Sequence, residues 1–196
     1  TTSTKQVVQK AASSKSIIVW TVFYPKTGTS KLFVFNKFSG KTEILDAPLP
    51  GETGELKFSN NEKLAVLQKN GDLYAYKRGT DVTLLTSGVN QFKFSPSGDA
   101  LAILKNKTLE IYFENSEYLR LNLATFPEVS KLAWYADEKH LFLQFPEKLG
   151  LLDLDALDFE NVQTIVDGNQ NSYDIMTNRL YFIESDKLWK LDLPKK

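Results

Sequence analysis

Short runs of alternating apolar and polar residues follow one another along the whole chain, bounded by Gly, Asn, Asp and Pro. This two-residue period predicts β-strands with turns between them. No stretch keeps a helical period. Leu152–Asn161 (LDLDALDFEN) has some i, i+3 spacing that would allow one helical turn, but a strand there keeps the pattern in register.

The runs recur as a unit. Leu56–Asn60 (LKFSN), Phe92–Pro96 (FKFSP), Leu132–Ala136 (LAWYA) and Tyr173–Thr177 (YDIMT) hold the first-strand slot, with starts 36, 40 and 41 residues apart. Second strands open at Leu64, Leu101, Leu141 and Leu180, and third strands at Leu73, Leu109, Leu151 and Leu188. Fourth strands are predicted at Val82–Thr86, Tyr118–Leu123 and Asn161–Val166. Between second and third strands the turns are short and polar. Lys69–Asp72 (KNGD) holds an Asn-Gly pair, and both residues tolerate the positive φ of a tight hairpin.

An earlier, less regular unit has strands at Ile17–Tyr24 and Lys31–Asn36, a fourth near Lys41–Leu45 and a first within Lys5–Ala12. Asp46–Glu55 (DAPLPGETGE), rich in Pro and Gly, is predicted to be a long loop. The units thus cover residues 5–46, 56–86, 92–123, 132–166 and 173–193 of a single domain, 1–196.

A four-stranded meander has two apolar faces and cannot cover both alone. Stacking such sheets around an axis buries them and leaves only short edges. The expected fold is therefore an all-β β-propeller of about five four-stranded antiparallel blades, or part of one. A two-sheet sandwich is the alternative; it explains the strands but not the return of one motif near every 40 residues. The last unit ends after three strands. Its fourth would come from Thr1–Lys5, or its edge would be covered by an upstream segment or a second copy.

Phe94–Leu104 (FSPSGDALAIL) resembles the turn between first and second strands of the TolB-like and WD-repeat propellers. Phe58–Leu67 (FSNNEKLAVL) and Trp134–Leu143 (WYADEKHLFL) are similar but degenerate. Neither the Gly-His nor the Trp-Asp pair of WD repeats occurs, so the TolB-like branch is the nearer likeness. That resemblance implies a scaffold for protein partners, often in the bacterial envelope.

Composition narrows the function classes. Lys and Arg number 24 and Asp and Glu 24, interspersed, so no basic excess favours nucleic acid or an anionic membrane. Cysteine is absent, which excludes disulfides and thiolate chemistry. The longest apolar run, Ile17–Tyr24, is of strand length, so no membrane insertion is expected in this segment. The chain opens TTSTKQ without a methionine and is expected to start at a processed boundary, with any anchor or upstream domain before it.

No catalytic motif is legible. His140, the only histidine, sits in the charged turn DEKH and reads as an exposed turn residue, not a general base. Asp153, Asp155 and Asp158 alternate, but the rest of a calcium loop is missing, and solvated charge is the simpler reading. The aromatic residues alternate within strands and read as packing between sheets. Asn106-Lys107-Thr108 matches a glycosylation acceptor that arises readily by chance. No metal site and no cofactor are expected.

One polar pattern remains. Lys26, Lys69, Lys105, Lys107, Lys148 and Lys187 lie in the loops joining second to third strands, which share one face of a propeller. Asp46, Glu52, Glu55, Glu128 and Asp167 in the connections between units should open there too. A mixed-charge rim of this kind is either plain solvated surface or a binding face for protein. The expected function is a non-catalytic interaction module, part of a larger envelope-associated or multidomain protein. It would engage a protein partner or an upstream domain of its own chain, or self-associate through an unpaired blade edge. The alternative is a propeller enzyme, or an accessory domain of a glycan-active or hydrolytic enzyme.

Overall fold

Nineteen β-strands in five antiparallel sheets make up the regular structure in a computed structural model that describes residues 5–77, 79–114, 118–156, 162–167, 171–174, 178–184 and 187–193. The first sheet holds β1 (Val7–Ser13), β2 (Ile17–Tyr24), β3 (Thr29–Asn36) and β4 (Thr42–Pro50). The second holds β5 (Thr53–Phe58), β6 (Leu64–Gln68), β7 (Leu73–Tyr76) and β8 (Thr83–Thr86). The third holds β9 (Gln91–Phe94), β10 (Ala100–Lys105), β11 (Thr108–Phe113) and β12 (Tyr118–Asn122). The fourth holds β13 (Lys131–Trp134), β14 (His140–Gln144), β15 (Lys148–Asp153) and β16 (Val162–Asp167). The fifth has three strands, β17 (Asn171–Asp174), β18 (Arg179–Glu184) and β19 (Lys187–Asp192). Each sheet is a meander of sequential neighbours. Among the described residues no helix is long and apolar enough to cross a membrane.

The repeat is also written in the backbone. The turn between first and second strands carries one positive φ in each of four sheets, at Glu62 (64°), Gly98 (87°), Glu138 (61°) and Asn178 (54°). Only Gly98 has the residue type that takes this conformation without cost. It has a second reason to be glycine, because a Cβ there would sit 2.8 Å from Asn61 Oδ1 and 2.9 Å from Ser59 Cβ.

The chain divides into two compact units, Thr1–Val89 with Ser97–Asp99 and Asn90–Pro96 with Ala100–Lys196. In the first unit Ile17, Val19, Leu32, Val34 and Leu49 pack against Leu56, Leu64, Val66 and Tyr76, joining the first two sheets face to face. A bulge between Val8 and Lys10 aims Gln9 across that join. Its Oε1 accepts from Ser30 Oγ at 3.0 Å and from the Thr53 N–H at 2.8 Å, so the buried Ser30 and Thr53 are both satisfied.

In the second unit alternate residues of β14 serve two cores. Leu141 and Leu143 pack with Leu104, Leu109, Ile111 and Leu132, whereas Phe142 packs with Leu149 and Leu180. This two-sided burial is why β14 reads as a continuous apolar run. Trp134 donates Nε1–H to the Lys93 carbonyl at 3.0 Å, tying β13 to β9, the first strand of the preceding sheet. Gly150 lets β16 close in, since a Cβ there would lie 2.5 Å from Val162 Cγ1.

Two expectations are corrected. Asp46–Glu55 is not a long loop, because β4 runs to Pro50 and β5 begins at Thr53. Ser30 pairs with Leu49 but Leu32 with Leu45, so a bulge in this outer strand absorbs the extra residues. An edge strand tolerates Pro48 and Pro50 because their missing N–H groups face no partner strand. At the Asn-Gly turn only Gly71 takes positive φ (90°). The loop has three residues, Lys69 to Gly71, closed by Gln68 and Asp72, and Asn70 Oδ1 accepts from the Asp72 N–H instead. The strand reading of Leu152–Asn161 holds only as far as Asp153, where β15 ends. Residues 157–161 lie outside the described residues, as do residues 1–4 of the proposed Thr1–Lys5 pairing with the last sheet.

Candidate functional site

A cleft of about 480 Å³ opens in the second unit, between the third and fourth sheets. Phe113 at the end of β11, Tyr118 and Leu119 at the start of β12, and Leu154 after β15 form its apolar lining. Glu138, Lys139 and Asp155 supply the charge. All seven sit where first strands turn into second and third into fourth, so one end of these two sheets builds the whole site.

Local hydrogen bonding explains the placement. In the β13–β14 turn Asp137 Oδ1 accepts from the Lys139 N–H at 2.9 Å and the His140 N–H at 3.1 Å. That side-chain closure suits an Asp in a tight turn. The Lys139 carbonyl accepts from the Leu154 N–H at 2.8 Å, which brings the segment after β15 alongside. There the Asp155 N–H donates to Asp153 Oδ1 at 2.9 Å, and the Lys139 ammonium meets Asp155 Oδ2 at 2.5 Å. The hydrogen bond from Lys139, and then its charge, hold the Asp155 carboxyl below its ordinary range and raise Lys139 in return.

Tyr118 is half exposed, its ring 4.9 Å from that of Tyr112. Partial burial, and then the Glu110 carboxylate, push its phenol above the usual tyrosine range. Glu110 is itself buried at 3% exposure, with Lys105 Nζ 2.7 Å from Oε2 and Arg120 Nε 3.8 Å from Oε1.

His140 is not an exposed turn residue. It opens β14, half-buried, with Nδ1 2.6 Å from Asp137 Oδ2, Nε2 3.8 Å from Asp153 Oδ2, and the Tyr135 ring edge-on at 6.1 Å. Among the described residues no group of three His, Cys, Asp or Glu is arranged to hold a metal ion, and Asp158 lies outside them. Among the described residues the carboxylates whose titration is displaced, Asp155 and Asp192, are both held down by cations, as in structural ion pairs.

Each of the six lysines lies at the opposite end of its own sheet from the turn between first and second strands. Lys26 is exposed in the β2–β3 turn. Lys69 pairs with Glu52 at 2.5 Å, so one of these loops does meet a connection between sheets. Lys105 is the last residue of β10 and serves the buried Glu110. Lys107 donates to the Phe126 carbonyl at 2.9 Å. Lys148 opens β15 with its ammonium 5.7 Å from the Phe145 ring centre, and Lys187 is exposed at the start of β19. The cleft residues, by contrast, carry no sequence motif. Glu138 leaves a trace, standing where Phe94–Leu104 has Gly98, and Asp155 is one of the alternating aspartates read as solvated charge.

No protein-family model and no curated protein sequence matches the chain. Solved structures do. A eukaryotic initiation factor is 12% identical with a TM-score of 0.63, the match covering 93% of this chain and 51% of that one. The β-propeller domain of the Trilobed protease from Pyrococcus furiosus, described as having an open velcro topology, is 10% identical with a TM-score of 0.67, covering 95% and 68%. The C-terminal WD40 domain of Sif2 is 11% identical with a TM-score of 0.59, covering 93% and 58%. The chain thus spans between about half and two thirds of these neighbours' lengths, and its fold is that of a β-propeller.

Proposed function

We propose that this chain is a non-catalytic docking module and that the cleft of the second unit holds an extended segment of a partner protein. The make-up of the cleft carries the reading. Phe113, Leu119 and Leu154 offer an apolar floor, and half-exposed Tyr118 presents both a ring and a hydroxyl. Aromatic anchors beside a polar rim are the usual composition of a protein-binding patch. Around that floor Glu138 and Asp155 outnumber Lys139, and Asp137 and Asp153 lie close by. The favoured segment therefore places an apolar side chain next to an Arg or Lys.

A propeller's rigid sheets with loops at their ends suit such a scaffold. The resemblance of Phe94–Leu104 to the TolB-like branch supports a bacterial-envelope setting and a partner that is another protein or an upstream domain of the same chain. The lysine-bearing ends of the sheets are the competing surface.

Panning a random peptide library on the 196-residue chain, followed by fluorescence anisotropy with the selected peptides, tests the reading. Apolar-basic sequences are expected, with binding weakened at least tenfold by Tyr118→Ser and by Asp155→Lys. Peptides that bind Tyr118→Ser normally but lose affinity for a Lys69→Ala/Lys148→Ala/Lys187→Ala variant would move the docking surface to the lysine ends.

A further inference from the structure

The third strand of a sheet is interior in the first four sheets: β3, β7, β11 and β15 each pair on both sides. β19 is also a third strand, yet among the described residues it pairs only with β18. Its sequence, KLWKLD, is that of an interior strand. Leu188, Trp189 and Leu191 are exposed at 72%, 49% and 41%, and Ile183 beside them at 40%. The outer strands of other sheets carry devices that discourage pairing, such as the prolines and bulge of β4 or the four-residue length of β8. β19 has neither proline nor bulge.

Its outward hydrogen-bonding groups can be assigned. The Leu193 N–H donates to the Asn178 carbonyl at 3.1 Å. Hydrogen-bonded pairs alternate along an antiparallel ladder. Leu191, Trp189 and Lys187, opposite Leu180, Phe182 and Glu184, therefore turn their amides inward. Leu188, Lys190 and Asp192 turn theirs out.

We propose that β19 is a self-association edge, pairing antiparallel with β19 of a second copy about a two-fold axis through Leu191. In that register Lys190 of each copy lies opposite Asp192 of the other, and these two hydrogen-bonded pairs flank Leu191 opposite Leu191. Trp189 meets Leu193, so the same face carries an unbroken apolar strip across the axis. Asp192 already has Arg179 Nε at 2.8 Å and Lys190 Nζ at 3.6 Å in its own chain, which fixes its carboxylate for the partner's lysine. Other centres are poorer. An axis at Lys190 opposes two ammonium groups, one at Trp189 sets Lys190 against Leu188, and one at Leu188 engages only the first three residues of the strand.

The chain has no cysteine, so a single introduced thiol reports the register without ambiguity. Directly opposed residues of a non-hydrogen-bonded pair have Cα atoms about 4.5 Å apart, within disulfide reach. Leu191→Cys is expected to form a disulfide-linked dimer under mild oxidation, and Leu188→Cys and Lys190→Cys are not. In sedimentation velocity the unaltered chain should show a concentration-dependent dimer. Lys190→Asp should return it to monomer with the fold intact by circular dichroism, and Lys190→Asp with Asp192→Lys should restore the dimer. A folded chain that stays monomeric to several hundred micromolar overturns the proposal. So does a dimer that Leu191→Cys does not cross-link.

Discussion

Glu62 grips Ser16 at both ends of its carboxylate. Oε1 accepts from the Ser16 backbone N–H at 2.9 Å and Oε2 from the Ser16 hydroxyl at 2.6 Å, while the Ser14 hydroxyl also donates to Oε1 at 2.9 Å. One side chain from the β5–β6 turn thus closes the β1–β2 turn of the neighbouring sheet, from a backbone held at positive φ.

Glu62→Ala is expected to destabilise the first unit by about 2 kcal/mol, since Ser16 is buried and would leave its donors unmatched. Glu62→Gln, which keeps one acceptor oxygen, should lose less. Guanidinium unfolding followed by tryptophan fluorescence reads both, and equal stability of all three proteins would remove the clamp.

Thr21 is fully buried in β2, and its hydroxyl has no hydrogen-bond partner among the described residues. Thr21→Val keeps the shape, removes the unmatched hydroxyl and retains β-branching, so a gain of about 1 kcal/mol is expected. A lower melting temperature would show that the hydroxyl is satisfied in solution.

The six lysines are not equivalent. Lys105→Ala uncouples the buried Glu110 and should cost about 2 kcal/mol, moderated because Lys105 keeps 21% of its side chain exposed. Lys69→Ala breaks only a surface pair and should change stability by less than about 0.5 kcal/mol. A binding test that replaces Lys69, Lys105 and Lys148 together would therefore lower the melting temperature through Lys105 alone. Thermal melts of the single variants check this ordering.

The Lys139–Asp155 bridge predicts a pH response of definite sign. Its carboxyl is held below the ordinary value of 3.8, so the bridge is intact above that value and is lost as pH falls through the depressed one. The Lys139–Asp155 bridge itself should stay intact between about pH 5 and 8. Carbon-detected NMR titration should place the Asp155 midpoint below 3.8, and Lys139→Met should raise it. An Asp155 midpoint indifferent to that substitution would show that the bridge does not form in solution.

Much of the fold was legible because strand pairing is local in a meander. First-strand motifs at Leu56, Phe92, Leu132 and Tyr173 predict β5, β9, β13 and β17 to within a few residues, and the turn chemistry places their hairpins. Asp46–Glu55 misled because Pro and Gly signal a loop by propensity, whereas an outer strand with a bulge accommodates both. Asn70-Gly71 marked the right turn, but the number of loop residues, not the dipeptide, selected its geometry.

The cleft was not legible. Phe113, Tyr118, Glu138 and Asp155 come from four separate segments, and nothing in their local pattern distinguishes them from packing or solvated residues. The same holds for Gln9 with Thr53, 44 residues apart, and for Lys105 with Glu110, whose pairing depends on which face of β11 is buried.

Alone, the sequence determined the strand period, the recurrence of the four-stranded unit and the turns that join its strands, since each depends on residues adjacent in the chain. Which polar side chains clamp neighbouring sheets, which charges are buried and which strand lacks a second neighbour among the described residues were decided only by tertiary structure. Those properties depend on what the packing of sheets brings within hydrogen-bond distance or leaves uncovered, and no single segment encodes that.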